Sequence, residues 1–65
     1  MKNKTEVYDY QNCRITFIRP ELMILLDLGF SYTVRMKIEN GEDIEYHTIT
    51  SDEYLMAVKK IKEEL

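Results

Sequence analysis

Residues 31–53, SYTVRMKIENGEDIEYHTITSDE, decide the fold of this 65-residue chain. Apolar and polar side chains alternate from Ser31 to Glu39, which predicts a β-strand with one face toward a core. The dipeptide Asn40-Gly41 follows, and it is the strongest short signal for a β-hairpin. Alternation resumes from Glu42 to Thr50, so this stretch is predicted to return as the second strand of the hairpin.

Side-chain parity predicts the register of this hairpin. A two-residue turn at Asn40-Gly41 would place acidic side chains on the apolar face, because a shift of one residue exchanges the two faces. A three-residue loop, Glu39-Asn40-Gly41, avoids this with Gly41 left-handed in a G1 bulge. The predicted neighbours are then Met36 with Ile44, Val34 with Tyr46, Lys37 with Asp43, and Arg35 with Glu45.

A capping box predicts that an amphipathic helix starts directly after the hairpin. Thr50 is the expected N-cap and Glu53 lies three positions later, so each side chain reaches the other residue's backbone N–H. Asp52 and Glu53 also suit the positive end of the helix dipole. The apolar stripe predicted on this helix consists of Tyr54, Ala57, Val58, Ile61 and Leu65, widened by Leu55 and Met56.

The N-terminal third of the chain predicts a second hairpin. Its strands run over 5–10 and 13–19 and its turn is Gln11-Asn12. This register sets Tyr10 opposite Cys13, Tyr8 opposite Ile15, and Asp9 opposite Arg14. The aromatic and apolar side chains then share one face, and the ion pair lies on the other.

The segment Pro20 to Leu28 is predicted to form a short helix. Pro20 suits the first helical position and Gly29 suits the residue after the last turn. The apolar run 22–26 leaves a fully buried strand as the alternative. The predicted fold class is therefore α+β in the order ββαββα, two hairpins forming a small sheet with both helices packed on one face.

Length and composition indicate a single small domain spanning residues 1–65. Cys13 is the only cysteine, so an internal disulfide is excluded, and one Cys with one His cannot complete a structural zinc site. So small a core needs good packing or self-association, which makes a homodimer a serious expectation. The sequence shows no signal peptide and no apolar run near the roughly 20 residues of a membrane span, which favours the cytoplasm.

Enzymatic function is not expected. Cys13 and His47 are the one thiol–imidazole pair available, and the predicted registers point Cys13 inward and His47 outward. Glu45 and His47 share a strand face, but no third metal ligand is indicated. Both glycines are isolated, so there is no phosphate-binding loop. We therefore expect no catalytic residue, no metal and no cofactor.

The distribution of charge suggests a protein partner. The net charge is −3, and the stretch from Ile38 to Glu53 contains acidic residues but no Lys or Arg. An acidic field of this kind steers a domain toward a basic surface. The predicted partner-binding residues are Glu39, Glu42, Asp43, Glu45, Asp52 and Glu53.

The function expected from these features is binding to, and inhibition or modulation of, a larger protein. Basic surfaces are most common on proteins that bind nucleic acids. An acidic domain can occupy such a surface by imitating the phosphate backbone. The chain is similar in size and charge to small accessory proteins of phages and mobile elements, many of which act in this way. The alternative is a dimeric nucleic-acid-binding regulator using Arg14, Arg35 and Lys37, but nucleic acid is the lesser expectation because no aromatic side chain is predicted among these bases.

Overall fold

The computed structural model describes residues 3–21 and 32–64 of the chain. These residues form a four-stranded antiparallel sheet and one helix, so the α+β class is confirmed. The strands lie in the sheet in the order of the sequence. The elements are β1 (Asn3–Tyr10), β2 (Cys13–Pro20), β3 (Thr33–Asn40), β4 (Asp43–Thr50) and α1 (Ser51–Glu63).

The first hairpin has the predicted register. Tyr8 pairs with Ile15, and the two flanking pairs, Asp9 with Arg14 and Tyr10 with Cys13, agree as well. The turn residues Gln11 and Asn12 have φ angles of 50° and 63°. Positive φ at both central residues is the pattern of a type I′ turn, whose twist matches that of the strands it joins.

The predicted register of the second hairpin is wrong. The turn is Gly41-Glu42, and Asn40 pairs with Asp43. Gly41 has φ of 64° and Glu42 does not have a positive φ, which is the pattern of a type II′ turn with glycine first. The observed pairs are Val34 with Ile49, Met36 with His47, Lys37 with Tyr46, and Ile38 with Glu45, in place of the four predicted ones.

The core lies between the sheet and α1. Its buried residues are Phe17 and Val34 from the sheet and Tyr54 and Ile61 from the helix. The rings of Phe17 and Tyr54 meet edge to face with their centroids 5.2 Å apart, a favoured aromatic geometry. The side of the helix that faces the core is therefore the apolar stripe predicted from the sequence. Leu65, the last predicted member of that stripe, lies outside the described residues.

The predicted width of that stripe is wrong. Leu55 and Met56 remain 45% and 73% exposed, because the helix presents only one side to the thin sheet.

The capping box predicted at the start of the helix is confirmed. Thr50 Oγ1 accepts a hydrogen bond from the backbone N–H of Glu53 at 3.1 Å, and Glu53 Oε1 accepts one from the backbone N–H of Thr50 at 3.2 Å.

α1 crosses the sheet obliquely. It starts at the end of β4, and the carboxylate of its C-cap residue Glu64 lies near the Tyr10 hydroxyl on the opposite edge strand, where the interaction raises the pKa of Tyr10. The turn end of β4 is thereby left uncovered on the helix side. Because the helix does not cover this end of β4, Asp43 and Glu45 face solvent although they lie on the same side of the sheet as the helix.

The predicted middle helix over Pro20–Leu28 falls on residues 22–28, which lie outside the described residues. Pro20 itself closes β2 and does not open a helix, consistent with the tolerance of proline at strand ends. The order ββαββα is therefore corrected to ββββα for residues 3–21 and 32–64. No helix in these two ranges has the length and apolar character needed to span a membrane.

Candidate protein-binding surface

Three acidic side chains, Glu42, Asp43 and Glu45, form what we call the acidic tip. Glu42 is in the turn, and the other two lie on alternate positions of β4, so they point to the same side of the sheet about 7 Å apart. All three are exposed. The type II′ turn is short, so the strands hold the tip in one orientation.

The observed register leaves the acidic tip without basic partners. The predicted ion pairs with Lys37 and Arg35 do not form, because both bases point to the other face of the sheet. Within the described ranges, Glu42 and Asp43 have no ion-pair partner, and Glu45 approaches only His47 at 3.9 Å. The negative charge of the tip is therefore more available than the sequence predicted.

The other predicted acidic residues lie elsewhere. Glu39 is on the face opposite α1, where its carboxylate lies 3.5 Å from the Lys37 ammonium. Asp52 and Glu53 are at the far end of β4, separated from Asp43 by about 25 Å of extended strand. Glu53 is also occupied in the helix cap. The structure thus divides the predicted set, and only the acidic tip is a contiguous group.

The face opposite α1, called here the outer face, carries the bases of the alternative hypothesis. Arg14, Arg35 and Lys37 all lie on it. So does Tyr46, which is 68% exposed and lies with its ring centroid 5.9 Å from Lys37 Nζ. Tyr46 was predicted to be in the core, and the register places it among the bases. Val7 and Ile44 add exposed apolar area to the same face.

A buried polar cluster, formed by Glu6, Arg19, Tyr54 and Tyr8, joins the sheet to the helix. Arg19 is 8% exposed, and its Nε lies 2.6 Å from Glu6 Oε1 and 3.1 Å from the Tyr54 hydroxyl. The Tyr54 hydroxyl donates to the same carboxylate oxygen, and Tyr8 donates to the other oxygen at 2.8 Å. Every described contact of Glu6 is therefore a hydrogen bond to its charged form.

These contacts shift the pKa values of the cluster. Burial raises the pKa of Glu6, but hydrogen bonds from Tyr54, Arg19 and Tyr8 outweigh it and lower the pKa from 4.5 to about 2. Burial, and then the hydrogen bond to Glu6, raise the pKa of Tyr54 to about 12. The polar atoms are directed at one another, so the cluster fixes the helix on the sheet.

Sequence reasoning missed this cluster, although a signal was present. In the predicted first hairpin, Glu6 has the same parity as Tyr8, and Arg19 has the same parity as Phe17. Both charged side chains therefore belonged on the core face, where Glu6 lies diagonal to Arg19 across the ladder. Opposite charges at such positions predict an internal ion pair.

Cys13 and His47 are not brought together. Cys13 is half-buried on β2 and His47 is on β4, with β3 between them. His47 points to the helix side of the sheet and not to the outer face as predicted, although its side chain remains 48% exposed. In residues 3–21 and 32–64 no three His, Cys, Asp or Glu side chains are grouped to hold a metal ion.

Comparison of the chain with protein-family models gave no match. Comparisons with curated proteins and with solved structures gave none either.

Proposed function

We propose that this chain is a small protein-binding module whose acidic tip occupies a basic surface on a larger protein and so inhibits or modulates it. The observation that carries this proposal is the exposure of Glu42 and Asp43 together with the lack of a cationic partner for either among residues 3–21 and 32–64, with Glu45 beside them. A carboxylate group that is not neutralised within its own chain keeps its field for a partner.

Electrostatics favour this mode of binding. The whole chain carries a net charge of −3, so the field of the tip adds to that of the rest of the molecule at long range. Complementary charge increases the rate of encounter and selects partners by sign. Because the tip is a tight turn between two paired strands, little conformational entropy is lost when it docks.

The partner class that we propose is a nucleic-acid-binding protein of the cytoplasm. Such proteins carry basic surfaces that bind phosphates, and a row of carboxylates meets the same charge requirement. Similarity in size and charge to accessory proteins of phages and mobile elements supports this choice. Binding of this kind competes directly with the natural ligand, which gives inhibition without catalysis.

Reversing the charge of the tip tests the proposal. The variant Glu42→Lys, Asp43→Lys, Glu45→Lys is expected to weaken binding to the partner more than tenfold and to remove most of its salt dependence. The measurement is affinity capture from host lysate, followed by titration of the captured protein after purification. Competition by nucleic acid for that protein is expected as well.

A second triple variant is the matched control. Glu21→Lys, Asp52→Lys, Glu63→Lys changes the net charge by the same amount at three exposed sites away from the tip. We expect this control to bind like the unmodified chain. If the two triple variants bind equally well, or lose binding equally, the tip is not the binding site.

A second candidate function is nucleic-acid binding by the outer face. The position of Tyr46 beside Lys37 and on the same face as Arg35 favours it, because exposed aromatic rings among bases stack on unpaired nucleotides. Lys37 and Arg14 already contact Glu39 and Asp9, so the acidic tip is the better supported site. Binding of single-stranded DNA at about 50 mM salt, weakened by Tyr46→Ala, is the expected result under this candidate, and absence of binding excludes it.

A further inference from the structure

The outer edge of β4 is a strand edge with which no other strand of residues 3–21 and 32–64 pairs. β4 is the last strand of the sheet, and of its residues only Ile49 is partly buried. The strand contains no proline, lysine or arginine, which are the residues that most often block edge pairing. β1, the other edge strand, differs because it carries Lys4, although both edge strands have acidic side chains on the helix side, Glu6 on β1 and Asp43 and Glu45 on β4.

The turn determines which backbone groups of β4 are available. The turn Gly41-Glu42 brings Asn40 and Asp43 together as the closing pair. Along a strand of an antiparallel sheet, the backbone N–H and C=O groups of successive residues point alternately to one neighbouring strand and to the other. Asp43 and every second residue after it therefore direct these groups to β3. The groups that point away from the sheet are those of Ile44, Tyr46 and Thr48.

We propose that a second copy of this chain pairs with this edge, antiparallel, about a two-fold axis at Tyr46. In that register Tyr46 lies opposite the partner's Tyr46 on the outer face. On the helix side, Glu45 lies opposite the partner's His47, and the symmetry repeats this contact. Ile44 lies opposite the partner's Thr48, so each available backbone group of one copy meets one of the other.

Hydrogen-bond complementarity between the Glu45 carboxylate, an acceptor, and the His47 imidazole, a donor, selects a second copy as the occupant. The chain's only histidine is two residues after Glu45, so the strand complements itself when it is inverted about Tyr46. The helix sides of both copies must also lie on the same side of the joined sheet. The two-fold axis therefore passes through a residue and not between two residues. An axis at His47 would oppose two imidazoles and remove both Glu45–His47 contacts, so the axis at Tyr46 is preferred.

The size of the contact predicts a weak dimer. The paired edge adds about six backbone hydrogen bonds, and a single strand-to-strand contact buries less area than a stable interface needs. We expect a dissociation constant on the order of 10–100 µM, so that monomer and dimer exchange. Glu42 and Asp43 of the two acidic tips lie at opposite ends of the paired edge, whereas Glu45 of each tip contacts the partner's His47.

Sedimentation equilibrium on the purified chain, from about 1 µM to about 1 mM, tests this dimer. The apparent mass is expected to rise from that of one chain to that of two. Tyr46→Lys sets two ammonium groups against each other and is expected to weaken association at least tenfold, whereas Tyr46→Phe is expected to associate normally. Tyr46 is exposed in the single chain, and circular dichroism of both variants verifies the fold.

Two further variants test the register and separate this inference from the proposed function. His47→Glu is expected to weaken association, and the exchange Glu45→His, His47→Glu is expected to restore it. Glu42→Lys, Asp43→Lys alters the tip outside the main contact and is expected to leave association within about twofold. A single chain at every concentration, Tyr46→Lys associating like the unmodified chain, or an exchange variant that does not recover would overturn the proposal.

Discussion

Replacing Arg19 by methionine is expected to lower the free energy of unfolding by roughly 3–5 kcal/mol at neutral pH. Arg19 is 8% exposed and its Nε lies 2.6 Å from the Glu6 carboxylate. Without the guanidinium, a carboxylate that is only 19% exposed keeps its charge with no cation beside it. A chain of this length has a total stability of roughly 3–10 kcal/mol, so a large fraction of the molecules should be unfolded.

Urea denaturation followed by circular dichroism measures this effect, and Arg14 provides the control. Arg14 lies 3.8 Å from Asp9, but both side chains are exposed, at 63% and 85%. Screening by solvent makes such a pair worth less than about 1 kcal/mol, so Arg14→Met should be nearly neutral. Equal losses for the two variants would show that the buried cluster does not stabilise the fold.

The same cluster predicts how stability depends on pH. The pKa of Glu6 is about 2 in the folded chain and 4.5 without the cluster, so the unfolded chain binds the proton more readily. Stability from this group is therefore complete above pH 4.5 and is lost as the pH falls toward 2, by an amount of about 3 kcal/mol. Glu6→Gln should be less stable at neutral pH and should show a flatter acid limb in the same measurement.

Replacing Phe17 by alanine is expected to cost about 3–5 kcal/mol of stability. Phe17 has no exposed surface and contacts the rings of Tyr54 and Tyr8, with centroid distances of 5.2 Å and 6.0 Å. Truncation leaves a cavity between the sheet and the helix that these rings cannot fill. The midpoint of thermal or urea unfolding measures the loss.

Tyr46→Ala is the matched control for Phe17→Ala. Tyr46 is also an aromatic residue of a strand, but it is 68% exposed on the outer face, and surface truncations of this kind usually change stability by less than about 0.5 kcal/mol. The three-residue loop predicted from sequence would have placed Tyr46 in the core. A large loss of stability in Tyr46→Ala would therefore contradict the observed register.

The first hairpin was predictable because its local signals agree. Two residues separate its strands, the inward side chains keep their parity, and Asp9 meets Arg14. Asn12 accepts the left-handed conformation that its turn requires, as asparagine often does. The capping box at Thr50 was predictable for a similar reason, because both of its hydrogen bonds lie within four consecutive residues.

The second hairpin was not predictable from parity alone. Gly41 supplies a positive φ equally well to a bulged three-residue loop and to the turn Gly41-Glu42. The prediction assumed that acidic residues avoid the side of the sheet where the helix packs. The oblique path of α1 leaves that corner to solvent, so Asp43 and Glu45 are tolerated there, and this path depends on tertiary packing.

The sequence predicted which acidic residues could bind a partner, but not which of them lie together on the surface. Counting charges found the acidic residues, yet Glu39 and Asp52 fell on different parts of the molecule once the strands were placed. The availability of Glu42 and Asp43 follows from ion pairs that did not form. The internal pair of Glu6 and Arg19 was overlooked because charged side chains are usually exposed.

Three features depend on the register of the second hairpin: the free charge of the tip, the outward position of Tyr46 and the proposed dimer edge. Nuclear Overhauser contacts in the isotope-labelled chain at low concentration test it most directly. We expect backbone contacts of Lys37 with Tyr46 and side-chain contacts of Val34 with Ile49. Contacts between the Tyr46 ring and Val34, with Met36 beside Ile44, would contradict the account.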